Sequence, residues 1–239
     1  MMLSPGVFIF ATLLYGLSTY ISKLIIYKKS SLHPPKTLEW IKGNELFLII
    51  SPDLWWAFRF KNRICSIDTN ITTENLRNFV IINNHFNLLL SIVFCALTLS
   101  FVSAYPLSYL STLLLCLAMI RFLSRSIEIT YAFVKDAFQQ SSAKSATALK
   151  SGERIKLAAK SYVEIYFYSA PAYLILTRCC DPWAAASLSL NVGTLTNVGL
   201  AFSESYKTPE ANLVFFQVFT TLSLVVFSLA MYLARNEDK

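Results

Sequence analysis

Apolar residues run along this chain in long blocks, and Lys and Arg collect in the stretches between them. A hydrocarbon core of about 30 Å takes about 20 residues of helix to cross. Blocks of that order lie at Val7–Tyr27, Phe86–Ala104, Leu107–Phe122, Leu157–Leu176 and Leu213–Leu233. The pattern therefore predicts an all-α integral membrane protein with about five transmembrane helices. Only small polar residues and Lys23 interrupt the first block, and Lys23 is expected to snorkel towards Lys28 and Lys29. No basic stretch precedes that block and no small-residue cleavage pattern follows it, which favours a span over a signal peptide. Tyr105-Pro106 separates the second and third blocks and predicts a tight helical hairpin, because Pro disfavours helix in the residue before it. The fourth block is the least hydrophobic, with Lys156, Lys160 and Glu164 near its start.

Composition agrees with a lipid-facing surface: 55% of residues are hydrophobic, 15% are charged, and the mean hydropathy is +0.50. The positive charge is placed by topology. Lys28, Lys29, Lys36, Lys42, Arg59, Lys61, Arg63 and Arg77 lie between the first and second blocks, and Arg121, Arg125, Lys135, Lys144, Lys150 and Arg154 between the third and fourth. Arg235 and Lys239 follow the fifth. The positive-inside rule reads these as two basic cytoplasmic loops and a cytoplasmic C-terminus, with the N-terminus outside. The net charge of +7 is not gathered into one basic face with interleaved aromatics, so no nucleic-acid partner is expected. Within the first basic loop, Leu46–Phe60 is apolar and aromatic but broken by Ser51-Pro52-Asp53. It reads as an interfacial segment with Trp55, Trp56 and Arg59 at headgroup level, or alternatively as a protein contact. Cys95 and Cys116 fall inside apolar blocks as small hydrophobes, and no zinc spacing or disulfide framework is present.

Several polar residues carry possible chemistry. Arg121, Arg125 and Glu128 stand at helical neighbour spacing and predict a salt-bridged juxtamembrane helix. Glu164 is an acid inside a span: either a functional group or the ion-pair partner of Lys160, four residues before it. His33 and His85 sit in no metal-ligand or catalytic pattern, and no nucleophile elbow or Walker loop occurs, so neither enzyme activity nor a cofactor is expected.

The connection after the fourth block is the most informative stretch. Asp181-Pro182 offers an N-cap followed by Pro at the first helical position, then a helix-compatible run from Trp183 to about Leu195 that is too short to cross a bilayer. Such a segment lies outside or dips in and returns, the latter only where protein or water satisfies its non-helical backbone. It is followed by Thr194-Leu195-Thr196-Asn197-Val198-Gly199-Leu200-Ala201-Phe202, a Thr208-Pro209 turn and the fifth block. This order resembles the two-helix pore module of the potassium-channel superfamily, in which a short pore helix leads into a Thr-x-Thr-Thr-Val-Gly-Tyr-Gly-Asp filter and an inner helix. The resemblance covers about residues 153–235. It divides the chain into an N-terminal membrane region, 1–152, with three spans and two basic loops, and a channel-like module, 153–239.

The resemblance implies an ion pathway at Thr196, Asn197, Val198, Gly199, Leu200 and Ala201, with Glu204 and Glu210 at the outer mouth. It also implies monovalent cations as permeant species and a homotetramer in the cell membrane, since one module encloses no channel. Departures from the family pattern bear on selectivity. Ala201 replaces the second filter glycine, Leu200 the filter Tyr, Phe202 the Asp and Asn197 the first filter Thr, and filter chemistry resides in backbone carbonyls whose conformation these residues set. The expectation is a cation channel of altered or weak potassium selectivity. The alternatives are a non-conducting, channel-derived component and an unrelated multi-span protein acting through partners.

Overall fold

The computed structural model describes residues 5–30, 48, 50–65, 69–139, 149, 151–175, 181–196, 198 and 212–229. Every regular element among them is helical: α1 (Pro5–Ser30), α2 (Pro52–Cys65), α3 (Thr69–Ala104), α4 (Tyr109–Gln139), α5 (Ser151–Tyr173), α6 (Pro182–Gly193) and α7 (Asn212–Ser223), which continues as a π-helical turn over Leu224–Leu229. Among the described residues, α1, α3 and α4 are long and apolar enough to cross a membrane. The chain is thus an all-helical protein of the membrane-spanning class. The charged first half of α5 and the shortness of apolar α7 leave both outside that set.

The helices run further than the apolar blocks. The stretch from Lys28 to His85, expected to be a loop, contains α2 and the first half of α3. At 36 residues α3 is about 54 Å long, well beyond the bilayer core. Its lead-in is helical because Leu76 and Phe79 stack at helical spacing onto Ile26, Tyr27, Phe60 and Ile64, an apolar cluster joining α1, α2 and α3. The hairpin forms where Pro106 predicts it: α3 ends at Ala104, and the Ser108 hydroxyl accepts from the Ser111 amide to start α4. Ser51-Pro52-Asp53 is likewise a helix start. The Ser51 hydroxyl accepts from the Leu54 amide at 3.2 Å, and Pro52 takes the first helical position.

Helix α2 is in contact with the rest of the bundle. It packs on α1, α3 and α4, with Leu54, Trp55, Ala57 and Phe60 buried and the Arg59 guanidinium 4.1 Å from the Trp55 ring centroid. The protein-contact alternative fits α2, the contact being with its own chain.

Polarity is inverted across the bundle. Leu13, Leu97 and Phe219 are 69%, 62% and 63% exposed, whereas Lys23 and Glu164 are 1% and 0% exposed. An apolar outside over an interior that holds paired charges beside its apolar clusters suits a hydrocarbon solvent. Cys95 and Cys116 are free and buried, as expected of small hydrophobes. The main apolar core joins Val102, Phe122, Ile165, Tyr173, Val192 and Val214, so α5, α6 and α7 pack on α3 and α4 as one body.

Candidate functional site

Two polar features lie inside this bundle. The first is a charge cluster built from one face of each of several helices. Tyr15 and Lys23 stand two turns apart on α1. Asn83, Asn84 and Asn87 share a face of α3, as do Arg121, Ser124, Arg125 and Glu128 on α4 and Ser161, Glu164 and Tyr168 on α5. The Arg125 guanidinium forks onto Glu164, donating from Nε to Oε1 at 2.6 Å and from Nη2 to Oε2 at 2.9 Å, while its Nη1 donates to Glu128. Lys23 Nζ donates to Glu128 Oε1 at 3.1 Å and to Asn83 Oδ1 at 2.7 Å. Arg121 donates to Asp53 Oδ1 at 3.2 Å, to Asn87 Oδ1 at 2.7 Å and to the Tyr168 hydroxyl at 3.0 Å. Asp53 also accepts from the Ser124 and Tyr15 hydroxyls. Desolvation pushes the Asp53 carboxyl up from its ordinary value, and the Arg121 charge pulls the other way.

Lys23, Arg121 and Arg125 balance Asp53, Glu128 and Glu164, so these six groups sum to zero. Three expectations are corrected here. Lys23 does not snorkel but turns inward, where Asn83 and Glu128 accept from its ammonium. Arg121 and Arg125 belong to no loop: α4 continues through them to Gln139, as the juxtamembrane-helix expectation has it, and Arg125 pairs with Glu128 whereas Arg121 pairs with Asp53 on α2. The buried partner of Glu164 is Arg125 on the neighbouring helix rather than Lys160 on its own. Asp53, Lys23 and Asn87 were not marked by sequence reasoning as members of one site. The available signal was polar residues at helical spacing inside apolar blocks.

The second feature is the segment after α5. The Asp181 carboxylate accepts from the amides of Trp183 at 2.8 Å and Ala184 at 3.1 Å, and Pro182 opens α6, as Asp181-Pro182 predicts. Helix α6 runs back along α5. Ser169 and Ser189 share a hydrogen bond of 2.6 Å, and nearer the start of α5 the Tyr162 hydroxyl donates to the Gly193 carbonyl at 2.9 Å. From Tyr173 to Tyr162 is about 16 Å of helix rise, so the chain returns to the middle of α5 before it turns. On the other side, Gln217 of α7 donates to the Ser189 carbonyl at 2.9 Å.

The turn places Leu195 at a φ of 58°, in the left-handed region. Thr194 and Thr196 are exposed, and their hydroxyls lie 2.9 Å apart. Of the expected pathway residues, Thr196 thus stands exposed at the end of the returning segment, and Val198 packs half-buried against the main core. Asn197, Gly199, Leu200, Ala201, Glu204 and Glu210 lie outside the described residues. Among the described residues no group of three His, Cys, Asp or Glu side chains is arranged to hold a metal ion.

Comparison with protein-family profiles, with curated proteins and with solved structures returns no match for this chain.

Proposed function

We propose that the chain is a channel-like membrane protein of the cell membrane. In this reading five helices span the bilayer with the N-terminus outside and the C-terminus cytoplasmic. The module 153–239 lines a cation pathway of altered or weak potassium selectivity, closed by homotetramerisation. The observation that carries the reading is the return of α6 along α5 to half its depth, held by Ser169–Ser189 and Tyr162–Gly193. A short helix in that position serves no span of its own. Its C-terminal carbonyls carry the negative end of the helix dipole, which favours a cation, and the exposed hydroxyls of Ser187, Thr194 and Thr196 beside them suit water better than lipid. The filter-like stretch begins where this helix ends.

The test is ion flux or single-channel current from the purified protein in liposomes under opposed K⁺ and Na⁺ gradients, with Gly199→Arg as control. Current abolished by that substitution supports a pathway at the filter-like residues, and the reversal potential reads its selectivity. Silence from a well-folded tetramer refutes conduction. It favours the non-conducting reading, in which Ala201 and Leu200 have replaced the glycine and tyrosine of a working filter.

A further inference from the structure

A cavity of about 150 Å³ lies between α3, α4 and α5 and is partly open. Its wall joins polar Asn84, Ser161, Arg125 and Glu128 to apolar Ile129 and Leu157. Asn84 is 7% exposed. Its amide nitrogen donates to the Ser161 hydroxyl at 2.9 Å, while its Oδ1 accepts no hydrogen bond from the described residues. A buried acceptor without a donor costs free energy unless a ligand or solvent group completes it. Cavities that stay dry have apolar walls, whereas a water needs room and two to four polar partners. At about 30 Å³ each, about five waters fill this volume. Around them stand the open Asn84 oxygen, the Glu128 carboxylate and the Ser161 hydroxyl, which accepts from Asn84 and keeps its own proton to donate.

Depth decides where that water comes from. From Ala104, at the hairpin end of α3, to Asn84 is about 30 Å of helix rise, and from Tyr109 at the start of α4 to Glu128 about 28 Å. With the hairpin at one face of a hydrocarbon core of about 30 Å, the cavity stands at the other face, where water reaches it without crossing lipid. From Glu128 the hydrogen bonds lead inward through Lys23 and Asn83 to Asn87, and on through Arg121 to Asp53 and the Tyr15 hydroxyl. Towards the hairpin, Ala11, Cys116 and Ile120 meet Tyr15 in an apolar cluster of α1 and α4 that closes this end. We propose that the cavity is a water-filled inlet, joining the buried charge cluster to the aqueous phase on the side opposite the hairpin and to no other. The inlet is complete within one chain. It gives the ion network contact with water on one side of the membrane, apart from the pathway proposed for α6 and α7.

Substituted cysteines read the inlet in the full-length protein, in right-side-out and inside-out membrane vesicles and with the native cysteines replaced. Ser161→Cys and Ala132→Cys place thiols in the cavity wall. Val163→Cys places one on an outer face of α5, 41% exposed and about 3 Å of helix rise from Ser161. The probe is a charged, membrane-impermeant methanethiosulfonate, which reacts with the thiolate and so needs water at the sulfur. Burial alone ranks Val163→Cys as the most reactive of the three, and a water-filled inlet reverses that order. The expected result is modification of both wall cysteines about tenfold or more faster than Val163→Cys, since hydrocarbon suppresses the thiolate, and only from the face opposite the one that labels Leu107→Cys. Ala132→Cys leaves the bond between Asn84 and Ser161 intact, so it reads the inlet even if Ser161→Cys does not fold. Wall cysteines that react no faster than Val163→Cys, or that react from the Leu107→Cys face, would overturn the proposal. The readout is thiol modification within one chain, so its outcome is separate from that of the flux experiment.

Discussion

Replacing Glu164 by Leu should be among the most damaging single changes this chain can take, and pairing it with Arg125→Leu should undo part of the damage. The structure sets the sign. Lys23, Arg125, Glu128 and Glu164 form a chain of four buried charges that sums to zero. Glu164→Leu leaves two cations to share Glu128, and Arg125→Leu leaves two carboxylates to share Lys23. Either way one uncompensated charge stays inside the bundle, at a cost of about 3–5 kcal/mol. The double variant removes one charge of each sign and retains the Lys23–Glu128 pair, so no charge is left over. It should be more stable than either single variant, a non-additivity opposite in direction to two independent losses. The part-exposed pair Arg77–Glu153, with side chains 32% and 24% exposed, gives the contrast, and Glu153→Gln should cost far less than Glu164→Leu. Unfolding in mixed micelles at rising mole fractions of SDS, followed by far-ultraviolet circular dichroism, measures all four proteins against the parent. A double variant as unstable as the sum of the singles, or a Glu164→Leu loss no larger than that of Glu153→Gln, would refute the view that this network is buried and charge-balanced.

Two further outcomes follow from local geometry. A Cβ at Gly193 would stand 3.0 Å from Gln217 Nε2, so Gly193→Ala obliges the end of that side chain to give by a few tenths of an ångström, which a Gln amide can do. A ring cannot be housed by so small a shift at this buried position, so Gly193→Phe should lower the midpoint in the same unfolding assay well beyond Gly193→Ala, and equal midpoints would show that α6 and α7 do not meet as described. Leu107, in the hairpin between α3 and α4, is 92% exposed, and the proposed topology puts this turn outside. Leu107→Cys, in a background with the native cysteines replaced, should be labelled in intact cells by a membrane-impermeant maleimide. Labelling only after permeabilisation would reverse the orientation.

How much of this was legible depends on whether a residue's role is local or shared between helices. The hairpin at Pro106, the start of α6 at Asp181-Pro182 and the three long apolar helices α1, α3 and α4 follow from short-range chemistry, and each falls where the residues predict it. Helix ends were less legible. Charge and polarity normally mark the water boundary, so Asn83 reads as a loop residue and Arg121 as the start of a juxtamembrane helix, yet here both turn inward. The cluster was legible only as spacing: Arg121, Ser124, Arg125 and Glu128 share one face of a helix, and no rule local to α4 names Asp53 or Glu164 as the partners. Those pairings depend on how five helices come together, which is tertiary information.

The same inversion explains why hydropathy undervalues α5. From Ser161 to Ser169 its buried polar residues meet neighbouring helices. Glu164 meets Arg125, Ser161 meets Asn84, Ser169 meets Ser189 and the Tyr168 hydroxyl meets Asn87 and Arg121. A helix surrounded by neighbours on most of its faces needs only a narrow apolar strip for the bilayer, so its mean hydropathy falls while its fitness to cross does not. A low score is then what a central span of a polar-cored bundle should have. In α5, the helix that holds both the charge cluster and the returning α6, that reasoning is why the proposed topology counts a span that hydropathy alone does not.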